Sequence, residues 1–390
     1  MQLITRWMAR RLGGPAAALS IAVLAFSLTS PALAQGWGGR VSLWGNYYWE
    51  TSTRVVAPEV SGSVTTPDGV DIHGAYLLDA ITSASIASGV IEDIRFTEVR
   101  NQGTLGFGRE FDLGEAQLRL DLNGRMSHEP DYFATGLTLS GALSLAERCS
   151  VVGFSLGYIH DDVGRVIRGG TPRTDGMGGD LSNRGRVGEL EGVSAGISFS
   201  QVLSEISTVM VGYDVVHNWG YLANPYRTLA VEGAQANETH PGSRTRNSFY
   251  GRLQLYVPDS RTALHLMYRV YLDDWEVGAL TPEARVYQEI GESVVLRLRY
   301  RFYTQLRSFF WRPVDAFAFD DPFLTADPKM GAFSSHLFGV HARVGLGFLG
   351  DSPLGFLQDG AVILNFDYLW QGSRFGDGII AQVGVDVPLH

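Results

Sequence analysis

Arg297, Arg299 and Arg301 alternate with Leu296, Leu298, Tyr300 and Phe302, and Arg252, Arg269, Arg285 and Arg343 hold matching positions in neighbouring segments. On an extended chain, residues two apart share a face, so these guanidinium groups stand in columns with steps of roughly 7 Å. Planar, permanently charged groups so arranged bind or steer anions. Asp273, Glu283, Glu289 and Asp367 fall on the same face. In a water-filled lumen, a basic wall facing acids sets up a transverse field that sorts anions from cations. The competing reading is that these ions only pair with one another and stiffen a filled barrel.

Three other clusters have chemical potential. Tyr221, Asn224, Pro225, Tyr226 and Arg227 form one polar motif, and Asp273-Asp274-Trp275 another. Arg227 paired with an aspartate of the second motif would hold a long loop inward and narrow a channel mouth. Alternatively, Asp273, Asp274, Asp320 and Asp321 would offer carboxylate oxygens to calcium. His160-Asp161-Asp162 is the local cluster in which a histidine stands beside acids, as a hydrolase would need; a solvated loop-edge group is the simpler reading. The glycines of 169–179 lack the strand, lysine and helix of a phosphate loop. No cofactor motif or metal-ligand spacing is present, and the expectation is a protein that is not an enzyme.

The elements that position these groups are strands. Thr262 to Asp274 sets Leu264, Leu266, Tyr268, Val270 and Leu272 against His265, Met267, Arg269, Tyr271 and Asp273, a period of two. Extended along the chain, the same pattern predicts strands at 40–49, 54–64, 70–80, 94–111, 116–127, 132–145, 149–161, 188–201, 206–219, 247–257, 261–274, 278–289, 293–306, 335–348, 360–371 and 378–389. That is sixteen, with 14 to 18 the range allowed by the pattern. Short polar turns, such as Thr66-Pro67-Asp68-Gly69, join one set of ends. The longest connections, 162–187, 220–246 and 307–334, all fall at the other end. Alternation alone does not separate a soluble sandwich from a membrane barrel. The loop asymmetry, the glycine content (47 residues) and the aromatic content (11%) favour an all-β, antiparallel up-and-down transmembrane barrel.

Residues 1–34 read as a secretory signal peptide, with Arg6, Arg10 and Arg11 before an apolar stretch and an Ala32-Leu33-Ala34 cleavage site; 35–390 is then the barrel. Removing three arginines leaves 28 basic and 41 acidic residues, which disfavours a nucleic-acid partner. Cys149, the single cysteine, has no internal disulfide partner. Beyond residue 34 no apolar run reaches the ~18 residues of a membrane helix.

Gly220-Tyr221-Leu222-Ala223-Asn224-Pro225-Tyr226-Arg227, Tyr268-Arg269-Val270-Tyr271-Leu272-Asp273-Asp274-Trp275 and Arg299-Tyr300-Arg301-Phe302-Tyr303-Thr304-Gln305 resemble the marks of a Gram-negative outer-membrane barrel family labelled a domain of unknown function. Asp79 to Ser85 and Ala326-Asp327-Pro328-Lys329 resemble two more, so that the likeness extends over nearly the whole mature chain. It implies an outer-membrane barrel and no particular activity. Two departures stand out: Glu276 where a glycine is expected, and a C-terminus without a terminal aromatic.

The expectation from the sequence is therefore an outer-membrane, porin-like or substrate-selective channel with a basic lumen wall. Its partners would be membrane lipid, the barrel-assembly machinery and a small solute or ion. The alternative is a plugged barrel acting as an envelope scaffold or surface interaction protein.

Overall fold

An extended segment leaves a row of N–H and C=O groups on each edge, and a sheet of such segments is free of edges only when it closes on itself. The protein does this. The computed structural model describes residues 37–51, 53–84, 95–166, 184–225, 227–313, 316–325, 327–372 and 376–389. Its strands are β1 (Gly38–Glu50), β2 (Thr53–Thr65), β3 (Val70–Ala84), β4 (Arg95–Asp112), β5 (Gln117–His128), β6 (Tyr132–Leu145), β7 (Ser150–Val166), β8 (Arg184–Ser204), β9 (Ser207–Gly220), β10 (Thr228–Val231), β11 (Ala234–Asn237), β12 (Ser243–Val257), β13 (Thr262–Asp273), β14 (Gly278–Ile290), β15 (Val294–Gln305), β16 (Phe333–Gly345), β17 (Ala361–Gln371) and β18 (Gly378–Leu389). All but β10 and β11 form one closed, antiparallel, up-and-down barrel, sealed by β1 against β18 from Gly39↔Leu389 to Glu50↔Gly378. The sixteen expected strands are the sixteen found.

Burial decides what the alternation left open. Leu105, Leu137, Leu156, Ile197, Val211, Leu298, Phe338 and Val383 point outward and are exposed. The residues between them face a polar interior. The apolar core cluster among the described residues is small and lies in the connections: Leu229, Val231, Phe317 and Leu324. A sheet that is apolar outside and polar inside is stable in lipid, and a sandwich would bury the opposite face.

Proline shows where the ladder yields. Pro58 pairs with Gly45 on β1, but the register to β3 skips from Val56↔Ala80 to Glu59↔Leu77. Pro282 pairs with Tyr268 on β13, and the register to β15 skips from Leu280↔Thr304 to Glu283↔Arg301. Each proline lacks the N–H its second neighbour would need.

The connection at 162–187 is shorter than expected, because β7 runs to Val166 and β8 begins at Arg184, with a bulge at Val163/Gly164. Glycine and charge there conceal two strand ends; 167–183 lies outside the described residues, as does the signal segment expected at residues 1–34. Likewise β3 continues past residue 80 to Ala84.

Candidate functional site

Strand register assigns every barrel residue a face. Directly opposed residues share one, and exposed leucines mark the outside, so β12 to β16 turn Arg244, Arg246, Arg252, Arg269, Arg285, Arg297, Arg299, Arg301 and Arg343 inward. Asp273, Glu283 and Glu289 share that wall. The remaining strands turn inward Glu50, Glu59, Asp71, Asp79, Glu110, Asp121, Asp161, Asp214, Asp367 and Asp386, with Arg40, Arg100, Arg119 and Arg125. The lumen therefore has a basic wall and an acidic wall. Between them, β6 to β8 present Gly136, Thr138, Ser140, Gly153, Ser155, Gly157, Ser194 and Gly196. Such short side chains cannot fill the interior of a sixteen-stranded barrel, whose circumference far exceeds that of a side-chain-packed one.

The two walls treat their arginines differently, except that Arg125 on the acidic wall has no hydrogen-bond or ion-pair partner among the described residues. On the acidic wall Arg40 is paired to Asp386, Arg100 to Asp79 at 2.7 Å, and Arg119 to Asp71 and Asp121 at 2.6 and 2.7 Å. On the basic wall Arg285 and Arg299 share Glu283, and Arg299 also lies 3.6 Å from Asp367. Their neighbours hold neutral groups: Arg269 donates to Ser248 Oγ at 2.7 Å, Arg297 to Asn365 Oδ1 at 2.7 Å and Arg252 to Met210 Sδ at 3.4 Å. Arg246 and Arg301 have no hydrogen-bond or ion-pair partner among the described residues. Glu289 and Arg343, both exposed, lie on either side of Val295 without pairing.

Glycines open the rungs between walls. Arg299, Gly339 and Asp367 are level on β15, β16 and β17, and a Cβ on Gly339 would land on Asp367 Oδ1. In the same way His73 reaches Asn123 at 2.6 Å across Gly106. The missing side chain on the middle strand lets two outer ones meet.

At the external end, the connections after β9 and β15 fold into one body on the basic side. Arg227 Nη1 donates to Glu238 Oε2 at 3.1 Å and to Asp327 Oδ2 at 2.7 Å. Glu238 also accepts from Asn224 N at 3.2 Å and from Thr325 Oγ1, and it lies 3.3 Å from His240 Nε2. Burial pushes the Glu238 carboxyl up, but His240, Arg227 and Thr325 outweigh this and hold it below the usual glutamate range. The body is rooted in the barrel by lumen-facing Gln305, which donates to the carbonyls of Lys329 at 2.9 Å and Gly331 at 2.6 Å. Buried Trp275 stacks edge-on with Phe310, lies under Arg244 at 4.3 Å and donates to Ser243 O at 2.8 Å.

The expected partner of Arg227 is thus corrected. Asp273 is taken by Arg244, Tyr271 and the main-chain N–H groups of Trp275 and Val277, and Asp274 accepts from Thr245 N. Arg227 instead reaches across the other long loop to Asp327, one hundred residues on. The calcium alternative also fails geometrically: Asp321 is held by Arg312 at 2.9 Å and does not converge with Asp273. Tyr226 lies outside the described residues. Tyr221 N donates to Glu189 O at 2.7 Å, with its side chain against Gly188, and Pro225 lies in the turn that Arg227 N closes on Asn224 O at 3.3 Å.

The His160-Asp161-Asp162 cluster is split by its own strand. Asp161 faces the lumen and accepts from Tyr132 Oη, whereas His160 and Asp162 face out beside Glu191 and Glu189, with Arg186 tying Asp162 to Glu189. Sequence reading misses Glu238, His240, Arg244 and Arg246. The last two are legible, since Arg244-Arg246-Ser248-Tyr250-Arg252 keeps the period of two and β12 has only to be extended by four residues.

Residues 91–348 match a family described as "Protein of unknown function (DUF3570)". This is narrower than the likeness read from the motifs, though it includes the clasp and the arginine wall. No curated protein matches. Among solved structures, a mutant of the ferric enterobactin receptor PfeA of Pseudomonas aeruginosa aligns at 11% identity over 86% of this chain and 53% of that chain, TM-score 0.46. The outer membrane protein OprD of the same organism aligns at 9% identity over 91% of this chain and 94% of that one, TM-score 0.41. The chain spans about half the length of the receptor it matches, 53%.

Proposed function

This chain belongs to the DUF3570 family, whose description carries no activity, and we propose from its own geometry that it is an outer-membrane channel with a charge-sorting lumen. The observation that carries the reading is the incomplete neutralisation of the basic wall. Arg246 and Arg301 lack hydrogen-bond and ion-pair partners among the described residues, and Arg252, Arg269 and Arg297 are held by neutral atoms, while Asp273 and Glu283 on the same wall are taken by Arg244, Arg285 and Arg299 and most other lumen carboxylates stand on the remaining strands. A barrel stiffened by internal ion pairs would place the two signs together.

Outer-membrane residence is supported by the apolar exterior together with the export signal read at residues 1–34. The implied partners are lipid around the barrel and the assembly machinery during insertion. The scaffold reading draws on the loop body, which is rooted over the basic side of the mouth.

Reversal potential across a planar bilayer under a salt gradient separates the two. Steady openings whose anion preference falls when Arg269 and Arg301 become Gln support the channel. A folded, heat-modifiable barrel that never conducts rejects it in favour of the scaffold.

A further inference from the structure

Opposite the arginine wall, at the external end of β4 to β6, the lumen has a recess of about 340 Å³ lined by Arg100, Arg125, Ser127, Glu129, Tyr132 and Ala134. Register explains how it forms. Arg125, Gly136, Ile159 and Gly192 are level on β5 to β8, and Ser127, Ala134 and Asp161 make the level above. Glycine and alanine on the middle strands leave the space that a larger residue would fill.

The recess is bipolar. Arg125 has no hydrogen-bond or ion-pair partner among the described residues, so a guanidinium stands ready to take an anionic group. Asp161, 4% exposed, gives one oxygen to Tyr132 Oη and leaves Oδ1 without a partner. Arg100 pairs through one nitrogen with Asp79 and leaves its buried Nε unmatched. Glu129 supplies the carboxylate of the lining itself, and Asp161 stands directly opposite Ala134 on β7, so groups of both signs surround one space. A simple anion would satisfy Arg125 and be repelled by Glu129 and Asp161, whereas a simple cation would meet the reverse. A molecule carrying both signs satisfies both.

We propose that this recess is a binding subsite for a small zwitterionic solute of the amino-acid type, its carboxylate on Arg125 and its ammonium group toward Glu129, with Asp161 behind. This rests on the channel reading and deepens it by naming the solute class. The two lumen walls extend the same preference along the path. A dipolar molecule lying across the lumen presents its negative end to the basic wall and its positive end to the acidic one, while an ion of either sign gains from one wall only.

Alanine and lactamide test this, because they share one molecular formula and differ in that the first is a zwitterion and the second neutral. Uptake of each at sub-millimolar concentration is measured into liposomes holding the refolded full chain, alongside single-channel current. The expectation is alanine uptake faster by roughly three-fold or more, the size of one partly exposed ion pair. That excess disappears in Arg125→Gln, is partly restored in Arg125→Lys, and is lost when Glu129→Gln and Asp161→Asn are combined, with uptake of neutral lactamide still detected in each variant. Equal uptake of the two isomers through a conducting wild-type barrel overturns the subsite and leaves the channel standing. Absence of both current and lactamide uptake overturns the channel, and the subsite with it. A variant that fails to fold is recognised by loss of heat-modifiability, and the remaining substitutions then decide.

Discussion

Replacing Arg227 by Met should open the loop body without unfolding the barrel. The Arg227 side chain is 15% exposed, and its partners Glu238 and Asp327 are 0% and 9% exposed. Removing one member of a buried ion cluster leaves the others uncompensated, at a cost of about 3–5 kcal/mol. With a factor of ten for every ~1.4 kcal/mol, the ratio of open to closed loop rises roughly a hundred- to several-thousand-fold. The loss is local. Every barrel ladder is untouched, and Glu238 keeps Thr325, Asn224 N and His240. Trypsin cleavage after Lys329, which is exposed and lies two residues beyond Asp327 in the loop, should accelerate by a similar factor, and single-channel conductance should rise as the mouth widens. The temperature of the heat-modifiability transition should stay within the scatter of the wild type. Unchanged cleavage, or barrel melting that drops in step with it, would refute the view that this cluster is a clasp separate from the barrel.

Three further outcomes follow from single positions. Gly339→Ala drives a Cβ into Asp367, forcing the carboxylate off Arg299; a cost of about 1–3 kcal/mol should lower the barrel's melting transition, whereas Ala at Gly103, which has open space, should not. Glu276→Gly should stabilise the β13–β14 turn by roughly 1 kcal/mol, since Glu276 sits at φ 64, a conformation that favours glycine; urea-dependent proteolysis of the turn reads the change. Because the Glu238 carboxyl is held below its usual range, the stability it gives is present above the unfolded-chain value of about 4.3 and is lost as pH falls through the lower folded value. Trypsin-resistant loops at pH 7 should therefore resist an acid-active protease down to about pH 4 and loosen below it, a transition that Glu238→Gln removes.

How much of this is legible in the sequence depends on the range over which each feature is written. Strands are local: Leu118-Arg119-Leu120-Asp121-Leu122 states its two faces in five residues, and sixteen such statements with one loop asymmetry specify the barrel. The inward face of Arg297, Arg299 and Arg301 follows from the same alternation. What period two cannot state is the partner. Arg227 meets Asp327 because two loops leave the barrel near each other, and nothing within a hundred residues of chain announces that meeting. Asp273 reads as free for Arg227 because Arg244, its true partner, lies just outside the end of β12 that the pattern suggests. The resemblance marks Glu276 as a glycine position, and its positive φ supplies the physical reason.

The segregation of charge offers a last test, because stability and selectivity pull apart there. Thr281 faces the lumen directly opposite Arg269 on the neighbouring strand. An acid at that position would neutralise the arginine, and an opposed cross-strand pair contributes about 0.2–1 kcal/mol. A protein that used its arginines only for rigidity would gain from such a pair. The chain carries a net charge of −10, so acids are not scarce, yet none is paired with Arg269, which is held by a serine. Thr281→Glu should therefore raise the barrel's melting transition slightly while shifting the reversal potential toward cations. A stabilised barrel with unchanged ion preference would mean that the arginine wall is structural after all, and that passage through the lumen, if any, is governed elsewhere.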